Sequence, residues 1–339
     1  MSSRILITGA TGFIGGFIVE EALRRGMEVW VAVRKSSSRR FLTDTRINFI
    51  ELNLGSSADI ERSLAGLSFD YVVHAAGVTK CVDSADFYRV NTLGTINLVK
   101  ALLHLGGNIR RFVYISSLSS YGPVHEDEPL REIKPSDPQC PDTAYGRSKM
   151  ESERCLNTIL GDDGKGNTFP YVILCPTGVY GPRERDYFMM AKSIRSHVDF
   201  AVGYRPQHLT FVYVLDVVQA VFLALERGRN GGRYFLSDGN VYSSRTFSDL
   251  LHRELGVGLL LRIKAPICFL RVVTFVGEHV GRLTGKASAL NNDKFHIMKQ
   301  RNWRCDISDT INDLGYVPHY DLGRGVPLTV SWYKEHGWL

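Results

Sequence analysis

Tyr145 and Lys149 stand four residues apart in the stretch Tyr145-Gly-Arg-Ser-Lys149. On a helix that spacing puts a phenol and an ammonium on one face. A positive charge beside a phenol favours the phenolate, so such a tyrosine has reason to be more acidic than usual. It can then give a proton to, or take one from, a hydroxyl or carbonyl oxygen. Earlier in the chain, Ile115-Ser-Ser-Leu-Ser-Ser-Tyr-Gly122 leaves a strand-like run. A serine hydroxyl at that strand end can hold the same oxygen. A Tyr-x-x-x-Lys pair alone is an ordinary surface helix turn. Joined to a strand-end serine and a glycine loop, it reads as an acid–base centre.

The glycine loop lies in Arg4–Val19, RILITGATGFIGGFIV. A β-branched run ends at Thr8, glycines follow at 9, 12 and 15, and Phe13, Ile14, Phe17, Ile18 and Val19 carry helical packing potential. Gly9 permits a tight turn, Gly12 lets the backbone approach phosphates, and Gly15 lets the helix pack close to the strand. The free N–H groups at the start of that helix suit a pyrophosphate. Thr11, Phe13 and Ile14 complete the residues expected to touch a bound dinucleotide.

These groups need a scaffold, and the first half of the chain supplies alternating elements. Strand-like runs are expected at Ile5–Thr8, Glu28–Val33, Ile47–Leu52, Tyr71–Ala75, Phe112–Ser116 and Tyr171–Leu174. Helical stretches are expected at Phe13–Arg25, Ala58–Leu67, Asn91–Leu105 and Tyr145–Leu160. Continuous apolar strands separated by helices argue a parallel sheet covered on both faces. The fold class is therefore α/β: a Rossmann-type, doubly wound parallel sheet, with its ligand crevice at the carboxyl ends of the strands. Residues 1–180 form the expected dinucleotide-binding domain. Residues 181–339 form a smaller mixed α/β lobe for substrate, from which Phe211–Leu225 returns to the main sheet and domain.

The second strand sets the choice of cofactor. An acid near its end would hold the ribose hydroxyls of NAD. Here the strand runs into Arg34, Lys35 and Ser36. An arginine there can pair with the 2′-phosphate of NADP, with Arg39 and Arg40 near enough to assist. NADP is thus expected over NAD. Asn53 and Leu54 should lie near the adenine. Ala75, Ala76 and Gly77 are small enough to let the chain pass close to the cofactor. Asn91 either caps the helix Asn91–Leu105, or hydrogen-bonds below the nicotinamide, or both.

The motifs together resemble an extended short-chain dehydrogenase/reductase of the NAD-dependent epimerase/dehydratase type. The resemblance rests on TGATGFIGG from Thr8, HAAG from His74, NTLGT from Asn91, ISSLSSYG from Ile115, YGRSK from Tyr145 and PTGVYGP from Pro176. Phe211–Asp216 and Trp303–Pro318 extend it thinly to the C-terminus. It implies Ser117 as the active serine, Tyr145 as acid/base, and Lys149 as both tyrosine activator and ribose ligand. It places Pro176 and Val179 on the nicotinamide side. Relatives commonly carry Asp-Leu where this chain has Asn53-Leu54, which weakens an expected adenine contact. Relatives also pair two helices into a dimer. Asn91–Leu105 and Tyr145–Leu160 carry apolar residues beyond what one sheet face needs, so a homodimer is expected.

Members acting on nucleotide sugars often carry an asparagine after the sixth strand and an arginine before a V-x-D motif. Val172–Pro182 has no asparagine, and Leu209 stands at the arginine position. Arg183, Arg185 or Arg205 could substitute. From Pro266 to Leu283 the polar residues Arg271, Thr274, Glu278 and Arg282 form one narrow stripe on a helix begun by Pro266. The apolar remainder can be buried, can wall a pocket for a steroid-like alcohol, or can meet a membrane surface. The 3β-hydroxysteroid dehydrogenase and sterol-processing branch resembles this arrangement. The expected activity is hydride transfer between a secondary alcohol or ketone and the nicotinamide. The alternatives are a nucleotide-sugar epimerase or dehydratase, and a regulator that binds cofactor without chemistry. The intact Ser117, Tyr145 and Lys149 set argues against the last.

Composition excludes other classes. The net charge of +6 comes without basic stripes interleaved with aromatics, so nucleic-acid binding is not expected. The six cysteines show no Cys-x-x-Cys spacing, so neither a metal site nor a disulfide framework is expected. The chain enters a strand almost at once, and Arg271, Glu278 and Arg282 interrupt its most apolar late stretch. No signal peptide or integral membrane segment is expected, and the location expected is cytoplasmic.

Overall fold

The computed structural model describes residues 2–106, 108–127, 129–161, 168–284 and 292–339. Its strands are β1 (Arg4–Thr8), β2 (Glu28–Val33), β3 (Asn48–Glu51), β4 (Tyr71–His74), β5 (Arg111–Ile115), β6 (Tyr171–Pro176), β7 (Gly178–Tyr180), β8 (Val198–Val202), β9 (Phe211–Tyr213), β10 (Gly232–Leu236) and β11 (Leu261–Ala265). The helices that position the site are α1 (Phe13–Arg24), α2 (Ser57–Leu64), α3 (Ala85–Phe87), α4 (Gly94–His104) and α5 (Ala144–Leu160). Those that follow are α6 (Asp186–Arg195), α7 (Val214–Arg227), α8 (Thr246–Leu255), α9 (Ile267–Thr284), α10 (Asn292–Lys299), α11 (Ser308–Leu314) and α12 (Leu322–Glu335).

Seven strands form one parallel sheet in the order β10-β6-β5-β4-β1-β2-β3. Ile5, Leu6 and Ile7 in β1, Val72 and Val73 in β4, and Val113 in β5 are fully buried at its centre. Both faces are covered, which is why these strands read as unbroken apolar runs. The chain winds outward from β1 to β3, then returns to β4 on the other side of β1. That reversal opens a crevice at the carboxyl ends of β1 and β4.

Two details differ from the sequence reading. Phe211–Tyr213 does not join the main sheet. It pairs with Gly178–Tyr180 in a separate two-stranded sheet, and only the helix after it, α7, packs against α1, β5 and β6. The seventh main strand is Gly232–Leu236, in register with Val172–Pro176. The helix expected to start at Asn91 begins earlier, at Ala85, and passes through a π-helical turn, Tyr88–Leu93, into α4. Asn91 sits inside that turn and is not an N-cap.

Of the three roles left open for the helix begun by Pro266, burial of the apolar face is not what its described side chains show. Leu270 and Thr274 are its buried side chains, whereas Ile267, Phe269, Val272 and Phe275 are exposed. Thr274 can be buried because its hydroxyl donates to the Leu270 carbonyl at 3.0 Å. The side chains of Val276, Glu278, Val280 and Arg282 lie outside the described residues. Among the described residues, no helix is long and apolar enough to cross a membrane.

Candidate active site

The turn from β1 into α1 is closed by a hydrogen bond from Gly12 N to Gly9 O at 2.9 Å. Gly9 has φ of +72°, and a Cβ there would stand 2.4 Å from the Ala75 carbonyl carbon. A Cβ on Gly15 would stand 2.2 Å from Gly9 O. Only glycine lets β1, α1 and the chain after β4 come this close. α1 has no side-chain cap and no acid in its first turn, so the leading N–H groups at Phe13 and Ile14 face the crevice without a side-chain partner. Gly12 and Thr11 are exposed on the same loop. This cradle fits a pyrophosphate. Beneath it, Thr8 Oγ1 and His74 Nδ1 meet at 2.6 Å, and His74 Nε2 meets Thr95 Oγ1 at 2.9 Å. Burial, with a contribution from the Lys149 charge, pushes the His74 imidazole down to about 3. A neutral histidine thus ties the ends of β1 and β4 together.

Gly77 follows on the same path, and a Cβ on it would come within 3.1 Å of Asn91 Oδ1 and 3.5 Å of Lys149 Nζ. Asn91 Oδ1 accepts from Val78 N at 2.8 Å, and its amide donates to Ser148 Oγ at 3.0 Å. The side chain therefore pins the cofactor-side chain after β4 to α5. Widened π turns of this kind recur at functional sites.

α5 starts at the crevice because its first turn is held from two sides. Thr143 Oγ1 accepts from Gly146 N at 2.9 Å. The Asp293 carboxylate, reaching over from α10, accepts from Ala144 N at 3.0 Å and Tyr145 N at 2.9 Å. A carboxylate at a helix N-terminus is favoured by the helix dipole. Tyr145 is placed by this turn, with its ring 6.0 Å from that of Phe87. Its phenol lies on the side of the Ser117 hydroxyl, whose polar influence favours the ionised form. Ser117 opens a 3₁₀ turn at the end of β5 and accepts from Ser119 N at 3.2 Å.

Lys149 lies one turn further along α5. Its ammonium donates to Ile115 O at 2.8 Å and to Tyr114 Oη at 3.2 Å. Burial lowers its pKa to about 8, with Glu153 acting against the shift. The Tyr145 phenol is pushed up to about 12 by burial, with the Ser117 hydroxyl acting against it. This corrects the expectation of an acidified phenol. The ammonium faces the strand-end carbonyl, and desolvation decides the phenol's pKa.

A second group went unread in the sequence. Glu153, two turns past Tyr145, is fully buried. Its carboxylate accepts from Ser116 Oγ and from Gln139 Nε2 at 2.7 Å, and lies 3.0 Å from Arg233 Nε. The spacing 145, 149, 153 was a signal for it, since all three fall on one helix face. Arg233 on β10 had no local signal.

The adenosine side is an open groove of about 850 Å³ between the ends of β2 and β3. Arg34, Lys35, Ser36 and Asn53 line it, and so do Glu51, Asp59 and Arg62. The Asn53 amide donates to Asp59 Oδ2 at 3.0 Å, and Asp59 also pairs with Arg62. Leu54 is turned away from the groove, its carbonyl held by Asn97 Nδ2 at 2.9 Å. Arg39 stacks on Phe49 and Arg40 on Phe41. Pro176 is buried at the end of β6, and Val179 is half-buried in β7 opposite Val212. Arg183 is held between the rings of Phe17 and Phe41, 4.3 and 4.5 Å away, and pairs with Glu20 at 2.7 Å. Its Nη2 is used by Glu20, while Nε and Nη1 are buried without a hydrogen-bond partner among the described residues.

A family model described as the NAD dependent epimerase/dehydratase family matches residues 5–237. The chain is 28% identical to the UDP-glucose 4-epimerase of Vibrio cholerae, over 99% of this chain and 97% of that protein. It is also 28% identical to sterol demethylase protein B of Methylococcus capsulatus, over 98% of this chain and 99% of that one. The structure of a Thermotoga maritima UDP-glucose 4-epimerase with UDP-glucose has the same fold. It matches with a TM-score of 0.78 at 21% identity, covering 98% of this chain and 99% of that chain.

Proposed function

The chain belongs to the NAD dependent epimerase/dehydratase family of enzymes, and from that premise we propose that it moves a hydride between a secondary alcohol or ketone and a nicotinamide dinucleotide, with NADP favoured over NAD. The convergence of Ser117 at the end of β5 with Tyr145 and Lys149 on the first turns of α5 carries this reading. It puts two hydroxyls at the carboxyl end of β5, where one substrate oxygen can meet both. Ser117 holds that oxygen, and Tyr145 gives it a proton or takes one. A phenol near 12 stays protonated at neutral pH, which suits the acid role in ketone reduction. When bound, the nicotinamide supplies or accepts the hydride. The Gly9–Gly15 cradle holds the pyrophosphate. Ala75, Ala76, Gly77, Asn91 and Lys149 border the ribose, and Pro176 and Val179 border the nicotinamide. Arg34, with Lys35 and Ser36, meets the 2′-phosphate.

For the substrate, a lipophilic and steroid-like alcohol or ketone is favoured. Leu209 stands where a diphosphate-binding arginine is expected. The sterol-processing relative points the same way. A nucleotide-sugar epimerase or dehydratase is the second reading, favoured by the epimerase relative. The working unit in this proposal is a homodimer through α4 and α5, with Leu93 and Leu105, each 37% exposed, flanking the two ends of α4.

The test is cofactor absorbance with purified protein against steroid and sugar-nucleotide panels. Stoichiometric oxidation of NADPH with a steroid ketone supports the first reading. Sugar-nucleotide conversion without net change in cofactor overturns it in favour of the second.

A further inference from the structure

Phe200, Leu259, Leu261, Ile267, Phe269 and Val272 are exposed apolar side chains drawn from neighbouring segments. β8 and β11 pair in parallel, with Leu261 opposite Val198 and Ile263 opposite Phe200. Paired residues share a face of the sheet, and that face alternates along each strand. Val198, Phe200, Leu261 and Ile263 are therefore on one side, and Asp199 and Ala201 on the other. Asp199 and Ala201 are buried, and Asp199 is neutralised by Arg245. The protein covers the β8 residues of that side, where Arg262 and Lys264 of β11 reach solvent at the edge, and leaves the apolar side outward. α9 leaves β11 directly through Pro266, and Ile267 lies against Gly203 at the end of β8. Phe269 and Val272 on α9 thus extend the outward apolar surface.

The segments that form this surface carry mainly basic charge. From Gly256 to Phe275 the chain has no Asp or Glu, and its charged residues are Arg262, Lys264 and Arg271. Arg262 pairs with Asp249, while Lys264 and Arg271 are exposed. Arg195 and Arg205 are exposed on the adjoining segments, and the only acid from 192 to 206 is the neutralised Asp199. A second copy docking here would bring like charges together. Anionic headgroups would pair with them while apolar side chains enter the acyl boundary.

We propose that this face seats the enzyme on the surface of an anionic lipid bilayer, without spanning it. The inference stands on surface residues and does not depend on the reading of the active site. The test is flotation of the full chain with vesicles of phosphatidylcholine, alone or with phosphatidylglycerol. Wild type should float with the phosphatidylglycerol vesicles and be released when ionic strength rises from about 0.05 to about 0.5 M. Leu261→Ser/Phe269→Ser should lower the bound fraction about tenfold or more, with an unchanged circular dichroism spectrum. Lys264→Glu/Arg271→Glu should abolish the preference for phosphatidylglycerol. Absence of flotation with either vesicle, or flotation that both double variants retain, overturns the proposal. A fall in solution mass in the Leu261→Ser/Phe269→Ser variant, with no wild-type flotation, would instead make this face a contact between copies.

Discussion

Glu153→Gln keeps the shape of a buried side chain and removes its charge. Both carboxylate oxygens are engaged, one by Ser116 Oγ and the other by Gln139 Nε2 at 2.7 Å and the Arg233 guanidinium at 3.0 Å. An amide has one accepting oxygen, so its NH₂ must face a donor. Removing one partner of a buried pair costs about 3–5 kcal/mol. Arg233 keeps 21% of its side chain exposed, which draws the expected loss toward about 3 kcal/mol. The second effect falls on Lys149. Burial brings its pKa to about 8, and Glu153 is the main charge holding it up. The substitution lowers it further. A lysine loses its charge as pH rises through its pKa. Any step that needs the ammonium therefore declines above about 8 in wild type, and at lower pH in the variant. Denaturant titration reads the first effect, and the alkaline limb of kcat/KM, which reports the free enzyme, reads the second. A variant as stable as wild type, with its alkaline limb unmoved, would refute the idea that Glu153 balances both cations.

Arg34→Ala should weaken NADP about ten- to a hundredfold and leave NAD nearly unchanged, since a charged hydrogen bond contributes about 1.5–3 kcal/mol. Parallel loss of both cofactors in titration would mean that Arg34 stacks on the adenine instead. Burial raises the Asp238 carboxyl to about 6 from 3.8, so the native state holds its proton where the unfolded chain does not. Stability should therefore fall as pH rises from 3.8 through about 6, and Asp238→Asn should flatten that slope in denaturant titrations. Light scattering at micromolar concentration, a typical range for moderate affinity, should give twice the chain mass of 38.1 kDa; a mass of one chain excludes the dimer.

The glycine loop and the first six strands were legible because their constraints are local. Gly9 and Gly15 stand where any Cβ would strike backbone, and buried parallel strands show unbroken apolar runs. Phe211–Tyr213 was assigned to the main sheet and Gly232–Leu236 went unread, because both are short apolar runs beside turns. Which one joins β6 depends on how α7 packs, and no periodicity shows that. Asn91 looked like a cap because its binding partners, Val78 and Ser148, are remote in sequence. The lowered phenol pKa was inferred from a neighbour's charge alone. The structure adds desolvation, which outweighs it at Tyr145. In α9 the stripe of Arg271 and Thr274 is split, with Arg271 exposed and Thr274 buried, because the Thr274 hydroxyl is satisfied by its own helix.

Tyr145→Phe tests the central claim most directly, because it removes the proton donor and keeps the ring beside Phe87. With a substrate that oxidises NADPH in the wild type, turnover should fall about 10²–10⁴-fold. NADPH affinity should stay within about twofold, since the lost hydroxyl faces Ser117 and not the glycine cradle. Near-normal turnover in a variant that binds NADPH normally would contradict the assignment of Tyr145 as the acid–base group.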